Sequence, residues 1–260
     1  VILRIIQVIG HSGSGKTTFI LSLIRMLQSK GTIAVIKHLG HHLFRLEEGK
    51  DTTLMYDAGA DFIVGVDAQK TVLMLHEEKF YPVITFLSES EIDYLIIEGF
   101  KSYNFPSIVF GELASEFCVL REPTLELVAR NIEKFYFYHT LTSIKRAVVA
   151  NNKSVENGII AVCKIVVTGP ELQNPDVFLS QPDSRQITGT IKQINQFKEE
   201  NNISNLVCEF QNDFISNSSA FFFGCHRPSY EDAKGAISSF RQIVSCSYPI
   251  TEEEERLIAD

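Results

Sequence analysis

No stretch of this sequence approaches the roughly 20 consecutive apolar residues that a membrane-spanning helix needs, so none is expected to cross a bilayer. The apolar start, VILRIIQVIG, is not read as a signal peptide. Arg4 and Gln7 interrupt it, and it runs straight into a glycine-rich loop with no cleavage-like segment. Basic residues are in deficit: 15 against 17 acidic ones in residues 1–150, and 9 against 15 in residues 151–260. Neither half offers the cationic surface that nucleic acid or an anionic membrane demands, and both are set aside as partners. The five cysteines, Cys118, Cys163, Cys208, Cys225 and Cys246, are odd in number, widely spaced and never in a C-x-x-C pair. That leaves neither a zinc knuckle nor a disulfide framework and fits a reducing cytoplasm. No internal repeat is visible.

What is present is an ordinary globular composition, 45% hydrophobic and 22% charged over 260 residues, enough for one large domain or two smaller ones. Its most specific feature is GHSGSGKTTF, residues 10–19. The spacing Gly10-x-x-x-x-Gly15-Lys16-Thr17 is the phosphate-binding loop pattern. Glycines let the backbone curl so that successive N–H groups face phosphate oxygens, and a following helix adds its positive end. Lys16 supplies a charge to the β- and γ-phosphates, the Thr17 hydroxyl can ligate Mg²⁺, and Thr18 stands where it can touch the α-phosphate.

The flanking pattern supports the loop. Residues 2–9 read as a buried strand, 15–29 as a helix ended by Lys30-Gly31, and 32–38 as a second strand, a right-handed β-α-β unit. Residues 49–60 read as a short helix with Asp51 or Thr52 as its cap. Strands are expected at 61–66 and 71–77, a helix over 81–90, and a buried strand over 93–98. PSIVFGE and EFCVLRE are short strand candidates, and EPTLELVARNIEKFYFYHTLTSIKR reads as one closing helix from about Pro123-Thr124. The fold class expected is α/β: a three-layer P-loop NTPase domain with a mostly parallel sheet over residues 1–150. A smaller α+β domain over 151–260 follows, with strands at IIAVCKIVVTG, NLVCEF and AFFFGC. A loop is expected over 170–184, helices near 190–201 and 229–244, and an acidic tail, TEEEERLIAD.

Such a loop needs a second acidic group for the metal or for water. Glu98 supplies it, emerging at the carboxyl end of the strand in DYLIIEGF, where open α/β sheets place their ligands. Lys16 and Glu98 are therefore the candidate catalytic residues, and Thr17 and Glu98 the candidate metal ligands. Lys37, at the end of the second strand, is a candidate anion contact. KHLGHH places three of the seven histidines within five residues just past that strand, either as a metal-binding loop or as a substrate-facing or solvent-facing one. Asp51 is either a group behind the metal or a helix cap. NKSV at 152–155 lacks the aspartate of a guanine-reading motif, so these residues do not choose GTP over ATP.

Taken in series, GHSGSGKTT, IKHLGHH, GKDT, DAGAD, IIEGFK and EPTLELVARNI resemble the motifs of the MobB family, the molybdopterin-guanine dinucleotide biosynthesis adaptor proteins, over roughly residues 1–140. The resemblance implies a GTP-binding, Mg²⁺-dependent domain with weak GTPase activity that acts mainly as an adaptor. It also implies a homodimer, and partnership with the guanylyltransferase that joins GMP to molybdopterin, with molybdopterin as a further ligand. It carries phosphate binding over to Gly10, Ser12, Gly13, Ser14, Gly15, Lys16, Thr17 and Thr18. It matches Lys37, His38 and His42 to the family's lysine-histidine loop, Asp51 to its second loop, and Glu98 and Lys101 to its EGFK motif, as candidate nucleotide- or substrate-binding positions. The second domain is faintly similar, in GCHRPSYEDA, ISSFRQIV and YPITEEE, to the end of the molybdopterin synthase large subunit. The catalytic lysines are unmatched there: Arg241 and Gln242 stand near the first, and TEEE replaces the second. The expectation is a pterin- or partner-binding relic without sulfur transfer.

The function expected is a nucleotide-gated accessory protein of molybdenum or tungsten cofactor assembly. Two alternatives remain at this stage. One is a small-molecule kinase, with Arg45 as its lid arginine; the other is a metal-insertion GTPase using the histidine loop.

Overall fold

The computed structural model describes residues 3–40, 48–75, 80–151, 158–167, 184–203, 205–213 and 218–259. The chain opens with β1 (Leu3–Gly10), the loop to Gly15, α1 (Lys16–Leu27) and β2 (Ile33–Lys37). Then come α2 (Asp51–Asp57), a ribbon of β3 (Phe62–Val66) and β4 (Thr71–Leu75), α3 (Phe80–Glu89) and β5 (Tyr94–Glu98). β6 (Ser107–Phe110), β7 (Cys118–Arg121) and α4 (Leu125–Arg130) follow, then β8 (Tyr136–Tyr138) and α5 (Leu141–Asn151). β2, β5, β1, β6 and β7 lie side by side in that order with every pairing parallel, and β8 runs antiparallel to the start of β1.

The period of two along β1 sorts its side chains between two helical layers. Leu3 and Ile5 face α3, where they pack with Phe80, Ile84 and Phe105. Ile6 and Val8 face α1 and α4, against Ile20, Leu23, Leu27 and Val128. Burial on both faces is why β1 and β5 read as continuous apolar runs. This is the expected three-layer α/β domain with a mostly parallel sheet.

A second sheet follows: β9 (Ile159–Val167), α6 (Ser184–Glu200), β10 (Val207–Asp213), β11 (Ser218–Arg227), α7 (Tyr230–Ser245) and β12 (Ile250–Ala259). Its strand order is β10-β11-β9-β12, all antiparallel. α6 and α7 cover one face through Ile194, Ile237 and Phe240. α5 covers the other with Leu141, Ile144 and Val148. That approach requires Gly224 on β11, since a Cβ there would lie 2.5 Å from Ile144 and 2.8 Å from Val148. The two sheets are joined where the Tyr136 hydroxyl donates to the Asn212 carbonyl at 2.8 Å and the His139 N–H donates to the Gln211 side chain at 2.6 Å.

Three sequence expectations are corrected. The single closing helix over 122–146 is α4, a 3-10 turn (Ile132–Lys134), β8 and α5. The aromatic run 135–138 favours a pleated edge beside β1. The acidic tail is β12: it pairs with β9 along its length, and Glu253 and Glu255 are met by Arg241 at 2.6 and 3.2 Å. α6 begins at Ser184 rather than near 190. The loop expected over 170–184 otherwise lies outside the described residues.

Candidate functional site

The site begins with the left-handed backbone between β1 and α1. Gly13 and Gly15 have φ of 76° and 85°, a conformation that costs a residue with a Cβ about 1–2 kcal/mol. At Gly10 the constraint is space as well, because a Cβ would sit 2.5 Å from the Phe110 carbonyl oxygen on β6. No side chain caps α1 at Gly15. The first-turn N–H groups therefore remain available at the positive end of a 12-residue helix. Ser14 braces the turn by donating to the His11 carbonyl at 2.8 Å, and the Lys16 ammonium donates to the same carbonyl. Ser12 is exposed on the loop, and Thr18 is exposed in the first turn of the helix.

Around this loop the parallel sheet gathers charges from the ends of its strands. Glu98 closes β5, with the Thr17 hydroxyl 3.4 Å from its Oε1 and the Lys37 ammonium 3.2 Å from its Oε2. Lys101 follows on the next turn. Partial burial holds the Lys16 ammonium below its ordinary value; Glu98 pulls the other way, and the Lys101 and Lys37 charges press it further down. Three ammonium groups against one carboxylate make an anion site whose repulsion a polyphosphate would relieve.

The sequence missed what fixes Glu98 in place. Gln7 is buried in β1 among isoleucines and valines, and its amide donates to the carbonyls of Gly99 and Phe100 at 2.9 and 2.8 Å. Those two residues have φ of 93° and 52°, an adverse turn that the amide secures. The only sequence signal was one amide in a strand with no water to bind it. Phe100 then stacks on the His38 ring, with centroids 4.5 Å apart.

The structure thus brings Gly10 to Thr18, Lys37, His38, Glu98 and Lys101 to one edge of the sheet. Asp51 is the first residue of α2, where Lys50 holds the cap position, so neither Asp51 nor Thr52 is the cap. His42 and Arg45 lie outside the described residues. Among the described residues no group of three metal-ligating side chains occurs. In the second sheet His226 and Arg227 end β11, and the cap of α7 is Ser229, whose side chain accepts from the Asp232 N–H.

Comparison with known proteins finds relatives of the first half of the chain. Residues 5–130 match the profile of the family described as Molybdopterin guanine dinucleotide synthesis protein B, MobB. That segment is similar to the MobB family. A Methanocaldococcus jannaschii protein is 38% identical over 111 residues, 41% of this chain and 47% of its own length. The Haemophilus influenzae molybdopterin-guanine dinucleotide biosynthesis adapter protein is 32% identical over 111 residues, 40% of this chain and 61% of its own length. The chain therefore spans about half to six tenths of these relatives. The crystal structure of Bacillus subtilis MobB aligns at 25% identity and a TM-score of 0.41, covering 51% of this chain and 98% of that one. These relatives cover 40% to 51% of this chain. Among the described residues no helix is long and apolar enough to cross a membrane.

Proposed function

We propose that this chain binds GTP with Mg²⁺ on the 10–18 loop and works as a nucleotide-gated adapter in molybdopterin guanine dinucleotide biosynthesis. In that role it assists the guanylyltransferase that joins GMP to molybdopterin. The observation that carries this is the convergence of the uncapped α1 terminus, Lys16 and the Thr17–Glu98 pair at one sheet edge. Thr17 and Glu98 suit a hard divalent cation, each offering an oxygen from its own element to the same point. Mg²⁺ bound there would neutralise β- and γ-phosphate charge. Lys16 holds the phosphates, and Lys37, released from Glu98, becomes a further anion contact. Hydrolysis by positioning and charge alone is slow, which suits a switch for partner binding better than product formation.

The same proposal includes a homodimer. In the β3–β4 ribbon Ile63 is buried and Gly65 lies against Thr52 of α2, whereas Phe62, Val64 and Leu73 on the opposite side are exposed, Phe62 by 70%. A two-stranded ribbon is marginal alone, and a second copy would cover its apolar side and its open edges. The second domain is assigned no sulfur transfer: Arg241, near the place of a catalytic lysine, is held by Glu253 and Glu255.

Titration calorimetry with GTP and ATP, with and without Mg²⁺, tests the reading. Mg²⁺-dependent GTP binding supports it. Preference for ATP with rapid phosphoryl transfer to an added acceptor would replace it with a kinase.

A further inference from the structure

A triphosphate seated on the 10–18 loop must lay its nucleoside across the carboxyl ends of neighbouring strands. On one side of β1 those ends carry Lys37, Glu98 and Lys101, the charged groups suited to phosphate. On the other side β6 and β7 end at Phe110 and Arg121, and Phe110 pairs in register with Gly10 of the loop itself. The turn after β6 starts at Gly111, with φ of 76°, and lies beside the His11 ring, 3.9 Å from where a Cβ on Gly111 would stand.

The end of β7 holds this turn rigidly. The Gly111 N–H donates to Glu122 Oε1 at 2.8 Å. The Arg121 guanidinium donates to the carbonyls of Gly111 and Leu113. Glu122 itself takes a left-handed backbone, φ 42°, while its N–H donates to the Val109 carbonyl at 3.0 Å. One carboxylate oxygen is thus fixed; the other has no partner among the described residues, on an exposed side chain. A turn tied down by an arginine and a carboxylate, one oxygen of which stays open beside a phosphate loop, is arranged to meet hydrogen-bond donors.

We propose that Glu122 is the base-reading residue and that it selects guanine. The assignment rests on the nucleotide site proposed above. A carboxylate only accepts hydrogen bonds. The Watson–Crick edge of guanine presents two donors side by side, N1–H and the N2 amino group, and a carboxylate accepts both with the strength of a charge-assisted pair. Adenine presents an unprotonated N1 there, which the carboxylate repels. This supplies the discrimination that NKSV, lacking an aspartate, does not.

The test measures binding of GTP, ATP and XTP to the full chain and to Glu122→Gln, Glu122→Asp and Lys16→Ala. The wild type and Glu122→Asp should favour GTP over ATP by roughly tenfold or more, the scale of one charged hydrogen-bond pair. Glu122→Gln still accepts from Gly111 but presents an amide, which matches the N1–H donor and O2 acceptor of xanthine. It should lose the GTP preference and gain XTP binding. If Glu122→Gln keeps the wild-type GTP:ATP ratio, or if the wild type shows no preference, the assignment is overturned. In that case Lys16→Ala still weakens every nucleotide alike, whereas failure of the phosphate site itself would show as unchanged binding in Lys16→Ala.

Discussion

The Thr17 hydroxyl and the Glu98 carboxylate, 81 residues apart in sequence, lie 3.4 Å from each other. One comes from the first turn of α1 and the other from the end of β5, so the parallel register of β1 and β5 sets their separation. A cation held between the phosphates and the sheet would draw on both. Glu98→Gln should therefore leave Mg²⁺-free nucleotide affinity within a few-fold and lower Mg²⁺-dependent GTP hydrolysis by about 10²-fold or more. A phosphate-release assay in parallel with calorimetry reads the two apart.

Gln7 should matter to hydrolysis although it is walled off from any ligand. Replacing it with leucine strands the Gly99 and Phe100 carbonyls, at a cost of about 1–3 kcal/mol. It also loosens the turn that aims Glu98. We expect a lower unfolding midpoint together with reduced hydrolysis. A variant with lower stability and wild-type turnover would show that the turn holds Glu98 without the amide.

These two residues mark what could be read from sequence. β1, its loop and α1 were legible because apolar run, glycine spacing and helix start are local signals that agree. Glu98 was legible as an acid at the end of a buried strand. Gln7 was not, since its partners lie more than 90 residues away and only the fold reveals that they need a donor. The stretch 122–146 was misread because helix formers surround Phe135 to Tyr138, and their pairing with β1 is a tertiary matter. The run of glutamates in β12 resembled a solvated tail. It is an edge strand, where charge discourages further pairing, and Arg241 offsets part of it.

His139 makes stability pH-dependent. Burial lowers its pKa from 6.5 to about 4. Between those values the unfolded chain binds a proton that the folded chain refuses. Its contribution is fully present above pH 6.5 and is lost as pH falls towards 4, on the order of 3 kcal/mol in all. His139→Phe keeps ring contacts with Phe137 and Phe222 and removes the titrating group. Denaturation midpoints compared at pH 7 and pH 5 should fall less in the variant than in the wild type.

Gly224 tests the packing of α5 on the second sheet. Valine there meets Ile144 and Val148 well inside contact distance. Overpacking of this kind costs about 1–3 kcal/mol. Equilibrium unfolding should show that loss, and pairing with Ile144→Ala should recover part of it. A wild-type midpoint in Gly224→Val alone would mean that α5 is not seated as described.

The central claim is that the Lys16 ammonium and the amides at the start of α1 hold a triphosphate. Calorimetric titration of GTP into Lys16→Ala, beside the wild type in Mg²⁺, tests it most directly. The account predicts at least a tenfold weaker Kd and loss of measurable hydrolysis. Affinity and turnover equal to the wild type would contradict it.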